Sequence, residues 1–283
     1  MFKRIAALSA LIFCTIIFSP SAQAVSIPER IVCLSPSATE DLFAIGAGAQ
    51  VIAVDDLSTF PATAPVTKLS AFNPNVEAIA AFHPDLVILN STATKADAVK
   101  SALETLGIAV YFETAPNNLT EAYSEIDGLG AKVGRSTEAK TLVVNMKKQI
   151  ASIINKSRKK KAITFFHELD NTLYSATSST FIGRVYKDFN LANIADKASK
   201  ADDAGYPQLQ SEYIIKANPS VIFLADAEYG ESLATIKKRA GWSKIAAVTK
   251  KNIVSLPADI PSRWGPRLVD FYQFIATAIA TIK

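Results

Sequence analysis

Residues 77–89 read Glu77-Ala-Ile79-Ala-Ala-Phe-His-Pro84-Asp-Leu86-Val87-Ile88-Leu89, and residues 212–224 read Glu212-Tyr-Ile214-Ile-Lys-Ala-Asn-Pro219-Ser-Val221-Ile222-Phe223-Leu224. Both fit one pattern: Glu-x-Ile, four residues, Pro-x, then four apolar residues ending the stretch. A Glu in the first turn suits a helix N-terminus, where its charge faces the positive end of the helix dipole. The Pro stops that helix by pushing the residue before it out of the helical region. Four consecutive apolar residues then suit a strand buried on both faces, as in a parallel sheet. One such unit repeated 135 residues away implies two similar α/β lobes, and a cleft between lobes is a preferred site for a small ligand.

Working outward, the N-terminus reads as a leader. Lys3 and Arg4 precede an apolar run from Ile5 to Phe18, and Pro20 breaks it before Ala22-Gln-Ala24. A basic head, a short apolar centre and a small-x-small site make a secretory signal peptide, with cleavage expected after Ala24. The run is shorter than the roughly 20 residues of a membrane-spanning helix. Phe13 before Cys14 does not suit a lipoprotein signal. The expected location is therefore across the inner membrane, in the periplasm or cell envelope.

Removing Lys3 and Arg4 lowers the formal net charge from +4 to +2. That balance gives no reason to expect a nucleic-acid partner, whose binders concentrate basic residues on one face. The basic run from Lys156 to Lys161 sits at a predicted helix end, where it complements the dipole. Cys33, the one cysteine after the leader, lies in the apolar run Ile31-Val-Cys-Leu34 and reads as a buried small hydrophobe. No disulfide framework, metal site or cofactor is called for, and the chain reads as a monomer.

Strands are predicted at Ile31–Leu34, Val51–Val54, Leu86–Leu89 and Ile108–Phe112, with helices between them. Ser37 and Glu40, three apart, suggest a capping box at the first helix. Strand alternating with helix argues for a parallel sheet covered on both sides. From Ser136 to Ser157 the pattern is purely helical, with Ala139, Leu142, Val143, Met146, Ile150, Ile153 and Ile154 on one stripe. A helix of that length spans roughly 33 Å and reads as a strut between lobes. The expected organisation is a signal peptide (1–24), an N-terminal α/β lobe (25–135), a linking helix (136–158) and a C-terminal α/β lobe (159–283). The second lobe opens with a strand at 162–166, carries one at Ile253–Leu256, and closes with a helix from Pro266 to Ile282.

Enzymatic readings find little support. Gly46-Ala-Gly48 follows a helix and lacks a third Gly, so it is a helix terminator and not a phosphate loop. No catalytic Ser or Cys with a partnered base can be assembled. His83 reads as a solvated turn residue. His167 and Glu168 end a predicted strand, where ligands of open α/β sheets gather, and either closing hydrogen bonds or ligand contact fits them.

Arg30-Ile-Val-Cys-Leu-Ser-Pro-Ser-Ala-Thr-Glu40, Asn75-Val-Glu77, His83-Pro-Asp-Leu-Val-Ile88, Thr105-Leu-Gly-Ile108, Gln210-Ser-Glu212 and Gly265-Pro-Arg267 resemble segments of the substrate-binding proteins of iron-chelate and cobalamin ABC importers. The resemblance covers the whole chain after the leader. It implies two Rossmann-like lobes with mostly parallel sheets joined by a single long α-helix, a metal-chelate ligand, and an ABC permease dimer as partner. It also implies that Glu77 and Glu212 dock onto that permease, one from each lobe. Phe72 and Tyr206 match positions of aromatic contact with a corrin, while Asp259 and Arg263 match a polar pair at the cleft edge. The family often shows Trp where this chain has Phe72, Tyr206 and Asn90, so haem or a ferric siderophore stays open beside cobalamin. Trp264 could supply stacking or pack the final helix. The candidate ligand contacts are Phe72, Asn90, His167, Tyr206, Asp259 and Arg263. An extracytoplasmic enzyme on the same scaffold is the rival of another class.

Overall fold

The computed structural model describes residues 26–257 and 259–282; the expected leader and its cleavage site lie outside the described residues. Two four-stranded sheets form the frame. In the first, β1 (Ile31–Leu34), β2 (Val51–Val54), β3 (Leu86–Asn90) and β4 (Ala109–Glu113) lie in the order β2-β1-β3-β4. Around them run α1 (Pro36–Ala44), α2 (Val76–Ala80), α3 (Ala96–Thr105) and α4 (Leu119–Lys132). Then comes α5 (Ser136–Ser157), the strut, with the bounds its apolar stripe predicts.

The second sheet is built from β5 (Ile163–Glu168), β6 (Leu191–Asn193), β7 (Val221–Leu224) and β8 (Ile253–Ser255), in the order β6-β5-β7-β8. Its helices are α6 (Phe181–Asp188), α7 (Ser211–Ala217), α8 (Leu233–Lys238), α9 (Ala246–Thr249) and the closing α10 (Leu268–Ala280). Every ladder in both sheets is parallel. Counted from its own first strand, each sheet has the order 2-1-3-4, and the repeated segment supplies the third strand and its preceding helix in both. The sequence repeat is thus a repeat of topology.

Side-chain alternation explains how two sheets share one interior. On β1 and β3, Ile31, Cys33, Leu86 and Ile88 face one way, and Val32, Leu34, Val87 and Leu89 the other. On β5 and β7, Phe165 and Phe223 face inward while Phe166 and Ile222 face out. The inward sets belong to one unbroken apolar cluster that passes through Tyr123 of α4 and Val143, Met146 and Ile150 of α5, and ends on Phe271 and Ile275 of α10. The strut is therefore core to both lobes. Gly130 permits its close approach to α4, since a Cβ there would lie 2.4 Å from that of Ala139.

Two details of capping differ from expectation. α1 begins at Pro36, and its cap is Ser35, whose Oγ accepts from the Ala38 amide at 3.3 Å. Proline suits the first helical position because its missing N–H would be unpaired there anyway. Ser37 and Glu40 consequently make no capping box, and Glu40 is free for a tertiary role. α2 ends at Ala80, short of Pro84; His83 before that Pro and Asn218 before Pro219 both take left-handed backbone, with φ of 50° and 49°.

Because Met146 is packed between the lobes, Met146→Ala is expected to cost about 2–5 kcal/mol of unfolding free energy. The exposed Val144→Ala on the same helix should stay within about 0.5 kcal/mol of wild type. Urea denaturation of both variants checks the contrast.

Candidate functional site between the lobes

The first and last helices meet across the lobe boundary. Arg267, beside the start of α10, donates from Nη2 and Nε to the two carboxylate oxygens of Glu40 on α1, at 2.5 and 3.0 Å. The same Nη2 reaches Asp259 Oδ2 at 2.6 Å, and the guanidinium lies 4.6 Å from the centre of the Phe60 ring. A fork of parallel bonds of this kind is the strong form of an ion pair. Its bonds to Glu40 hold Arg267 charged, above its ordinary range. Next door, the Trp264 indole N–H donates to Glu113 Oε1 at 2.7 Å, and the Trp264 amide to Ser37 Oγ at 3.4 Å. Gly265 lets its segment close up on α1: a Cβ there would sit 2.8 Å from Asp41 Oδ1 and 3.3 Å from the Ser37 carbonyl oxygen.

Two further acids sit inside this junction without a cation. Asp41 and Glu113 are buried, and each has one carboxyl oxygen with no partner. Burial pushes Glu113 up to about 7 even though bonds from Ser35 and Trp264 favour its charged form. Asp41 is pushed well above the carboxylate range, by burial first and then by the charges of Glu113 and Glu40. A buried acid without a counter-charge lowers its cost by keeping its proton.

Beside this junction a cavity of about 260 Å³ opens between the lobes. Ala115, Pro116 and Asn117, following β4, form one wall. Ser179 to Ile182 at the start of α6, Ala204, Tyr206, Pro261, Ser262 and Trp264 form the other. Every lining residue is uncharged. The walls offer rings, hydroxyls and one carboxamide, which suits a large neutral ligand with polar fringes.

The residues expected at the site fare differently. Tyr206 lines the cavity and is 40% exposed. Phe72 is 60% exposed on the N-terminal lobe, outside the cavity wall. Asn90 ends β3, and its Oδ1 accepts from both the amide and the hydroxyl of Thr92, closing a local turn. Asp259 and Arg263 do not pair with each other. Asp259 binds Arg267, and Arg263 points its Nε toward Glu40 at 3.7 Å with little exposure. Arg263 is drawn toward the interlobe ion cluster because Glu40 is buried and needs cations, and Asp259 because Arg267 holds it beside Glu40.

His167 is a correction. It is fully buried, and its Nδ1 lies 2.9 Å from the Tyr186 hydroxyl. It shares the inward parity of Phe165 on β5, so it faces the common core and not the cleft. Burial pulls its pKa down to about 3 and keeps the ring neutral. Glu168, on the opposite face, is held by Arg239 through two bonds of 2.6 and 2.7 Å. Asn117, Ser179 and Thr180 are cavity residues that the sequence did not announce. They lie in irregular turns, where neither periodicity nor spacing marks them.

Comparison with known proteins decides the family. The family model described as "Periplasmic binding protein" matches residues 31–260. The chain belongs to that family. It is a binding protein of the ABC-importer class and not an enzyme, and it acts outside the cytoplasm. An uncharacterised ABC transporter substrate-binding lipoprotein of Bacillus subtilis is 31% identical over 89% of this chain and 80% of its own length. A vitamin B12-binding protein of Vibrio campbellii is 26% identical over 95% of both. Among solved structures, a possible iron-binding periplasmic solute-binding protein of Staphylococcus epidermidis shares 27% identity with a TM-score of 0.78, covering 90% of this chain and 99% of that one. The haem-binding HutB of Vibrio cholerae, at 20% identity and TM-score 0.78, covers 88% and 98% and shares the fold.

The buried Glu113 sets a pH dependence. Its folded pKa is raised, so the folded state holds the proton more tightly than the unfolded chain. Its contribution is complete below about 4.5 and is lost as pH rises through about 7. The loss amounts to at most about 3 kcal/mol. Glu113→Gln keeps an acceptor for Trp264, and should unfold at higher denaturant than wild type at pH 8 and at nearly the same denaturant at pH 5.

Proposed function

We propose that this protein captures a metal-chelate nutrient in the interlobe cleft, a corrinoid such as cobalamin in preference to haem or a ferric siderophore, and hands it to an ABC permease dimer. The observation that carries the choice is the uncharged lining of the cavity. Haem presents carboxylates and catecholate siderophore chelates carry net negative charge, and a buried partner for either would be expected to include Arg or Lys. A corrin edged with amides needs apolar area and neutral hydrogen-bonding groups, which Tyr206, Trp264, Asn117, Ser179 and Ser262 supply. Relatives named for vitamin B12 or cobalamin support the same ranking, for instance the cobalamin-binding protein of Halobacterium salinarum at 26% identity.

A corrin ring exceeds about 260 Å³, so only part of it enters the cavity. The remainder lies outside it, where exposed rings such as Phe60, stacked on Arg267, and Phe72 offer apolar faces. With the leader removed after Ala24, the mature chain does this in the periplasm or cell envelope as a monomer.

Glu77 and Glu212 are the docking charges in this account. Each lies in the first turn of its helix, α2 or α7, and each is exposed. Among the described residues neither forms an ion pair. The cap of α2 is already supplied by Asn75, whose Oδ1 accepts from the Ala78 amide at 2.8 Å. Glu77 is therefore not needed as a cap, and a two-fold permease can use one equivalent acid from each lobe.

Isothermal titration should show one tight site for cobalamin and none of comparable strength for haem or ferric siderophores. Tyr206→Ala should weaken that binding about tenfold, a loss of about 1.4 kcal/mol. Tight haem binding with silence toward cobalamin would reverse the ranking. Independently, Glu77→Lys with Glu212→Lys should leave soluble affinity within about twofold and abolish uptake in cells, because like charges brought together at an interface cost several kcal/mol. Normal uptake by the folded double variant would remove both residues from docking.

A further inference from the structure

We propose that the groove lined by Asn118, Arg158, Arg184 and Lys187 is a second binding site, for an oxyanion of the phosphate class, distinct from the ligand cleft. This groove encloses about 470 Å³ and shares Phe181 with the neutral cavity, but is otherwise lined by different residues. Its walls come from three parts of the molecule: Asn118 to Thr120 of the N-terminal lobe, Arg158 just past the end of the strut, and Arg184 and Lys187 of α6 in the C-terminal lobe.

The charge in the groove is what sets it apart. Arg158, Arg184 and Lys187 place three cations around one concavity, against the single carboxylate of Asp188. That carboxylate accepts from the Tyr272 hydroxyl at 2.6 Å, and Arg158 Nη1 donates to the Asp188 carbonyl at 2.6 Å. Among the described residues, none of the three cations forms a salt bridge. Glu121, the acid nearest along α4, has its oxygens engaged by the Asn117 amide and by the carboxamides of Asn117 and Asn118, and Arg184 adds only the weakest of the attractions that favour its charge. Like charges gathered in a cleft repel one another and draw an anion from solution.

The end of α4 adds donors of the right kind. In this 14-residue helix the Glu121 amide is taken by Asn118 Oδ1 and the Ala122 amide by Asn118 O. The Leu119 and Thr120 amides come before the first intrahelical bond and remain open. Two guanidinium groups, an ammonium and two amides on a helix N-terminus form a donor set matched to a tetrahedral oxyanion. Because the walls belong to both lobes, an anion held there bridges them and stiffens the angle at which the ligand cleft is presented.

The test uses the mature protein without cleft ligand. Its melting temperature is followed against inorganic phosphate, with ionic strength held constant by sodium chloride. A saturable rise of about 2–4 °C is expected. It should vanish in the double variant Arg184→Ala with Lys187→Ala, whose melting temperature without phosphate should match wild type because both side chains are exposed. Sedimentation with phosphatidylglycerol vesicles, against phosphatidylcholine vesicles, separates a lipid headgroup from free phosphate as the source of the anion. A saturable response in either arm that the double variant loses supports the site. No response in either arm, or a response that the double variant retains, overturns it.

Discussion

The Arg267 fork on Glu40 is the contact on which the geometry of the cleft depends. It joins side chains 227 positions apart and ties the beginning of the first lobe to the last helix of the second. The shared apolar cluster along α5 holds the lobes together without fixing their angle, since dispersion and burial are non-directional. The bidentate bond is directional. Removing one partner would strand the other in a buried place, at a cost of about 3–5 kcal/mol. Its neighbours in sequence follow from it: Asp259 and Arg263 are drawn to the cluster, and Trp264 is set where its N–H meets Glu113 and its ring lines the cavity.

Charge is thereby partitioned. The charged groups of the junction are paired with one another, and burial raises the pKa of Glu40 even beside its cations and of Asp41 and Glu113, which have none. The cavity beside them is left neutral. In the proposed reading such a lining discriminates by shape, ring contact and neutral hydrogen bonds, and against a ligand whose charge it cannot balance. Cations without a salt bridge among the described residues line a separate groove, at Arg158, Arg184 and Lys187.

Much of the fold was legible in the sequence because it is written in periodicity. The repeat at 77–89 and 212–224 supplies the same strand and helix in each lobe, and the stripe from Ala139 to Ile154 marks a helix whose one apolar face packs into the core shared by both. What stayed hidden was tertiary. Glu40 looked like a capping residue because its partner lies in a segment more than two hundred positions away. His167 looked like a strand-end ligand, although its two-residue spacing from Phe165 already placed it on the inward face. Asn117, Ser179 and Thr180 lie in turns, and a turn advertises its backbone conformation and not what its side chains will meet.

The most direct test of a neutral, corrinoid-selective cleft is the ligand the protein carries when it is gently purified from the cell envelope, read by absorption spectrum and mass together. The account predicts the visible bands and mass of a corrinoid at up to one per chain. Haem or a ferric chelate in that place, at the same stoichiometry, would contradict it.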